Sequence, residues 1–273
     1  MDQLNKKVMA SKDLQYFYKG DQSIPIGVRG MVDDTLGVSK CGNTSIKLNS
    51  VINAHIEAQR LTLSTEKSVV IHVGNKSRCK TPCPKLKVHD SEMLEATSVK
   101  YLGNIVSSHG GVLETIEDRR NKGWGKVSTI LGILSEVDLG NRRVEVGLQL
   151  RKALLVSSLL FTSETWSGVQ EAQLRRLEQV DQALLRSLLY TAHSKVAVEF
   201  LHLETGTLKL RHILSINRMM YHYHLLTLDE SESIRKIYNK QKEDTTKGDW
   251  YELLEKDFKF IGKEINEEEI LSF

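Results

Sequence analysis

The stretch Gly30-Met31-Val32-Asp33-Asp34-Thr35-Leu36-Gly37-Val38 sets two carboxylates side by side between short apolar segments. Such a pair is either a solvated polar turn or a holder of a cation. Mg²⁺ prefers hard oxygen ligands and takes only one or two from protein carboxylates, filling its shell with water and phosphate. Neighbouring residues of a strand point to opposite faces. At a tight hairpin tip, one carboxylate can therefore face a site while the other braces it. Two-metal phosphoryl chemistry needs further ligands to clamp both ions, so Asp33 and Asp34 cannot suffice for it alone.

Other residue types suggest other chemistry. Cys79-x-x-x-Cys83, flanked by Arg78, Lys80, Lys85 and Lys87, has the look of the start of a zinc knuckle, with His72 and His89 nearby. No third and fourth ligand follow at finger spacing, and a basic surface loop is the alternative. His222-x-His224 falls in a helical stretch. Residues two apart on a helix do not share a face, which argues against a shared metal. Basic clusters occur at Arg119-Arg120-x-Lys122, Arg142-Arg143, Arg151-Lys152, Arg175-Arg176 and Lys209-x-Arg211. On a helix such clusters are ordinarily the solvated face. Trp124 and Trp166 read as core anchors, because their helices need apolar contacts to dock.

The elements that would position these residues change character near residue 110. Before it, residues 24 to 40 read as two short strands around Asp33-Asp34. Residues 44 to 60 place Ile46, Val51, Ile52 and Ile56 at near-helical spacing. Lys67 to Val73 is β-branched and reads as a strand, and Lys85 to His89 alternates weakly. Val99 to Val106 reads as another strand, with a bulge or close backbone approach at Gly103. Strands with an intervening helix make an α+β layer. After Gly110-Gly111 the reading is helical over 112 to 136, 142 to 160, 171 to 190, 207 to 227 and 231 to 243. Leu174, Leu177, Val180, Leu184 and Leu188 lie on one helix face, and Asn141 suits a helix cap. Residues 249 to 265 are thinner and more charged, and the chain ends mid-element on Glu-Glu-Glu-Ile-Leu-Ser-Phe.

The totals narrow the classes. With 273 residues, 40% of them apolar, the chain can bury a core in one large or two modest domains. A net charge of +3 is too small to argue for nucleic acid without local clustering. Three cysteines fit a reducing compartment without a disulfide framework. No apolar leader follows Met1 and no run has the length of a membrane span. An intracellular protein, nuclear or cytoplasmic and neither secreted nor membrane-bound, is expected.

The order of these pieces resembles the C-terminal palm of reverse transcriptases of non-LTR retrotransposons. Met31-Val32-Asp33-Asp34 is similar to the family's aromatic-x-Asp-Asp hairpin, with Met31 in place of the usual aromatic. Leu63-x-x-x-Lys67 and the strand after it resemble the next motif, and Lys100-Tyr101-Leu102-Gly103 resembles the primer-gripping hairpin. The resemblance implies a partial polymerase palm over 1–110, a helix-backed antiparallel sheet. An all-α thumb over 111–200 and a helical tail over 201–273 would follow. Asp33 and Asp34 would be ligands for Mg²⁺, two ions in the complete enzyme. Lys67 would neutralise or protonate the departing pyrophosphate, or else be an ordinary exposed lysine. Tyr101 and Gly103 would lie near the primer backbone, although Tyr101 equally suits a core position. Arg119, Arg120 and Lys122 would meet the phosphates of an RNA–DNA hybrid formed by RNA template and DNA primer, with deoxynucleotides as substrate. The family's first metal-binding Asp and its nucleotide-cradling segment belong upstream of the hairpin. Asp2, Asp13 and Asp21 lack the strand context for that role, and Met1 is expected to be an internal methionine of a longer frame. The expected function is a fragment of an RNA-directed DNA polymerase, inactive alone. The alternatives are a non-catalytic nucleic-acid-binding remnant and a helical interaction module.

Overall fold

The computed structural model describes residues 2–31, 34–74, 84–191 and 195–271. The chain is α+β and divides into two compact units, Met1–Gly110 with Asp229–Lys240, and Gly111–Leu228 with Gln241–Phe273. Among the described residues no helix is long and apolar enough to cross a membrane.

The first unit begins with helix α1 (Asp2–Met9), strands β1 (Tyr16–Phe17) and β2 (Pro25–Ile26), then β3 (Val28–Met31) and β4 (Asp34–Gly37). Helix α2 (Gly42–Ala58) follows, then β5 (Val69–Val70), β6 (Lys87–Val88), β7 (Ser91–Glu92), β8 (Leu94–Glu95), β9 (Ser98–Tyr101) and β10 (Asn104–Ser107). Leu4, Val8, Leu14, Val28 and Leu48 form its buried core, with Val51 and Ile52 packed against it. The β3–β4 ladder is antiparallel, with Gly30 opposite Thr35 and Met31 opposite Asp34. Its far end lies against α2, where a methyl group at Gly37 would sit 3.2 Å from both Ile52 Cδ1 and Leu48 Cδ2. Leu48, not Ile46, supplies the apolar face of α2 here, and Ile46 is exposed.

Several expectations are corrected. Only Val69–Val70 of the expected strand 67–73 enters a ladder, and its partner is β8, in parallel. Lys67 instead closes a turn ahead of that ladder, which Ser68 ties by donating from its amide (3.1 Å) and its hydroxyl (2.7 Å) to the Ser64 carbonyl. Val99 to Val106 is a hairpin, not one bulged strand. Leu102 (φ 46°) and Gly103 (φ 83°) are both left-handed, the geometry of the two-residue turn whose twist matches paired strands. The expected antiparallel sheet is present as separate two-stranded ladders, one of them parallel. Their strands are two to four residues long, so each offers few backbone groups to a third strand.

The second unit contains α3 (Leu113–Glu136), α4 (Arg143–Leu150), a wide π-helical stretch (Arg151–Val156) and α5 (Ser157–Leu159). Then come α6 (Glu171–Leu188), α7 (Val198–Thr205) and α8 (Leu210–Thr227). Helix α9 (Ser233–Glu243) belongs to the first unit as far as Lys240, and α10 (Trp250–Phe260) and α11 (Glu267–Leu271) belong to the second. Residues 201–228 and 241–273 thus belong to the same compact unit as 111–200. Ile116, Ile130, Leu134, Leu155, Leu159, Leu177, Val180, Leu184 and Leu188 fill the core, so the apolar stripe of α6 faces inward. Helix α3 comes close to this core at Gly123, where a methyl group would lie 2.5 Å from Leu159 Cδ2. Trp166 is buried, as a core anchor should be, whereas Trp124 is 41% exposed. Gly123 beside it faces the core, and the bulky Trp124 is displaced outward by the helical turn. Asn141 does not cap α4. It lies in the short turn Gly140–Arg142, and Asp138 Oδ1 accepts the Gly140 amide at 3.2 Å instead.

Candidate functional site

The β3–β4 hairpin carries Asp34. Val32 and Asp33 lie outside the described residues, as do Cys79 and Cys83. Asp34 opens β4 and its side chain is exposed. Burial first, and then the negative charge of Asp34, push the Tyr101 hydroxyl above its ordinary pKa. Tyr101 ends β9, so the two hairpins bring Asp34 and Tyr101 within electrostatic reach of one another. Gly103 follows in the β9–β10 turn, where its left-handed φ of 83° favours a residue without Cβ. Lys67 is exposed on its turn.

A metal clamp needs several hard ligands converging on one point. Asp34 offers one such oxygen donor. Among the described residues no group of three or more His, Cys, Asp or Glu is arranged to hold a metal ion. The described residues therefore do not complete a two-ion site. His222 and His224 divide as their spacing requires, with His222 buried edge-on to Phe258 at 5.9 Å and His224 exposed.

The basic clusters of the second unit are largely engaged within it. Arg119 is only 5% exposed. Its guanidinium lies 4.8 Å over the Phe161 ring, and burial lowers its pKa. It is buried against that ring, unlike the solvated residue expected of a phosphate contact. Arg120 donates to Glu117 at 3.4 Å, and Lys122 pairs with Asp118 one turn back. Arg176 bonds to the other oxygen of Glu117, and this bond is the chief reason the Glu117 carboxyl falls below its ordinary pKa. Arg211 forks onto Glu178 at 2.8 and 2.6 Å and reaches Glu171 at 3.0 Å, and the Glu178 bonds raise its pKa most. Arg175 meets Glu171 at 3.2 Å and Lys209 meets Glu199 at 2.8 Å. Arg143 donates to the Leu134 carbonyl at 2.5 Å. Lys126 and Lys152 remain exposed.

One polar centre escaped the sequence reading. Arg151 forks onto Asp181 at 2.6 and 2.7 Å, both side chains buried, and also donates to the Leu208 carbonyl at 3.3 Å. His202 is buried beside them, with Nδ1 3.1 Å from Thr207 Oγ1. A signal existed: Asp181 sits on the apolar stripe of α6, between Val180 and Leu184. A carboxylate there demands a buried partner.

Comparison of the chain with models of known protein families, with curated proteins and with solved structures finds no match.

Proposed function

We propose that the chain is the C-terminal palm and thumb portion of a reverse transcriptase of the non-LTR retrotransposon class. The observation that carries this reading is the helix-backed β3–β4 hairpin whose Asp34 acts electrostatically on Tyr101, the end of the second hairpin. An acidic hairpin tip with a tyrosine-bearing hairpin nearby suits a primer terminus held next to metal-ligating carboxylates. In the parent activity, a primer 3′-hydroxyl attacks the α-phosphate of a deoxynucleotide opposite an RNA template. Asp33 and Asp34 would contribute oxygen ligands to Mg²⁺, which supplies charge neutralisation at the phosphates. Tyr101 and Gly103 would border the primer backbone, and Lys67 would act on the departing pyrophosphate. Of the expected phosphate contacts, Arg120 and Lys122 stay in the proposal and Arg119 leaves it.

As a 273-residue polypeptide, the chain is expected to support no polymerisation, since among the described residues no further carboxylates join Asp34 to fix two ions. Primer extension on an RNA template with purified chain and Mg²⁺ tests this. No extension is expected. Robust synthesis that disappears on Asp33→Asn would mean that the site is complete.

The second reading is a helical interaction module with no nucleic-acid partner. The ion pairs that occupy Arg120, Arg176 and Arg211 favour it. Binding to an RNA–DNA hybrid separates the two, because phosphate contacts make affinity fall steeply with salt.

A further inference from the structure

Helix α7 is held unlike its neighbours. It is eight residues long and buries only Leu201 and His202, while Phe200 and Leu203 on its outer side are exposed. A helix this short has little stability of its own, so its place depends on those two side chains. One of them is a histidine, a side chain whose unperturbed pKa lies near neutral pH.

The hydrogen bonds around His202 fix which nitrogen carries the proton. Thr205 Oγ1 donates to the Leu201 carbonyl at 2.6 Å. Its hydroxyl proton being used there, Thr205 Oγ1 accepts from Thr207 Oγ1 at 2.9 Å. Thr207 in turn accepts from His202 Nδ1 at 3.1 Å. This chain of donors, in which each bond polarises the next, keeps the proton on Nδ1 and leaves Nε2 as the atom that gains a second one.

The charges facing the ring come from every side. Arg151 of the π-helical stretch and Lys209, just before α8, oppose a second proton. Asp181 of α6 favours it, but both its oxygens are already engaged by Arg151 at 2.6 and 2.7 Å. Glu199 of α7 interacts with His202 as well, but it is exposed and paired with Lys209 at 2.8 Å. Burial is the largest influence and disfavours the charged ring.

We propose that His202 makes the docking of α7 depend on pH, with α7 seated while the ring is neutral and released when it is protonated. The sign follows from the direction of the shift. The folded-state pKa lies below the ordinary 6.5, so the stabilisation is present above that value. It is lost as pH falls through the lower, folded value. Release would free Leu201 and join it to Phe200 and Leu203, enlarging an apolar surface.

Hydrogen exchange of the full chain at pH 7.5 and 5.0, corrected for intrinsic rates, tests the proposal. Exchange in α7 should accelerate at pH 5.0, by about tenfold for each unit by which the folded-state pKa is depressed, while α3 and α6 stay protected. His202→Asn keeps a donor for Thr207 and cannot titrate, so its α7 should exchange at one rate at both pH values. Unchanged α7 protection in the wild-type chain, equal acceleration in His202→Asn, or acceleration spread over α3 and α6 would each overturn the proposal. Should the variant fail to fold, an NMR titration of the wild-type ring decides instead. A His202 pKa below the ordinary 6.5 is expected, and an equal or higher value is the contrary result.

Discussion

At the scale of single residues, the buried pair Arg151–Asp181 carries the largest consequence. Removing one partner of a buried ion pair strands the other charge and costs about 3–5 kcal/mol, while replacing both with apolar residues is often neutral. Asp181→Ala should therefore lower stability by about that amount in thermal unfolding. Arg151→Met with Asp181→Leu should recover most of it. A double variant as unstable as the single one would show that the pair is worth more than its removal suggests. The same logic explains what became of the basic clusters. A cluster of arginines reads identically in sequence whether it faces solvent or carboxylates, because its partners lie far along the chain. Arg211 meets Glu178 and Arg176 meets Glu117 across helices, and nothing near Arg211 or Arg176 in sequence announces it. Asp181 was legible in principle, as a charge on an apolar stripe.

At the scale of elements, the helices were the most readable part. The stripe Leu174 to Leu188 announces both the length of α6 and its inward face, since burial repeats with the helical period. The apolar residues of α7 show no such stripe, so that helix was missed. From its residues alone the β9–β10 segment reads as a strand, because Leu102 is a poor signal for a turn; only the family resemblance implies a hairpin at Lys100 to Gly103. Its left-handed backbone (φ 46°) costs an L-residue with a branched side chain about 1–2 kcal/mol. Asn tolerates this conformation better. Leu102→Asn is therefore predicted to slow amide exchange in β9 and β10, and Gly103→Ala to speed it. The opposite order would refute the turn assignment, and with it the placement of Tyr101 beside Asp34.

At the scale of the whole molecule, the chain is an α+β protein of two compact units. The change in character at Gly110-Gly111 was visible because helical periodicity replaces β-branched runs there. The return of residues 229–240 to the first unit was not, since long-range docking leaves no local pattern. The β3–β4 ladder around Asp34 was legible because apolar runs flank two polar residues, yet the chemistry of Asp33 and Asp34 depends on partners that they do not name. The account therefore rests on whether this chain engages the nucleic acid that such a palm and thumb would hold. Binding of the purified chain to a short RNA–DNA hybrid, followed over a series of salt concentrations, asks this directly. The account predicts binding at low salt, with log K falling linearly in log[salt] and a shallower slope for Arg120→Gln with Lys122→Gln. No binding at low salt, or an affinity indifferent to salt and to those two residues, would contradict it.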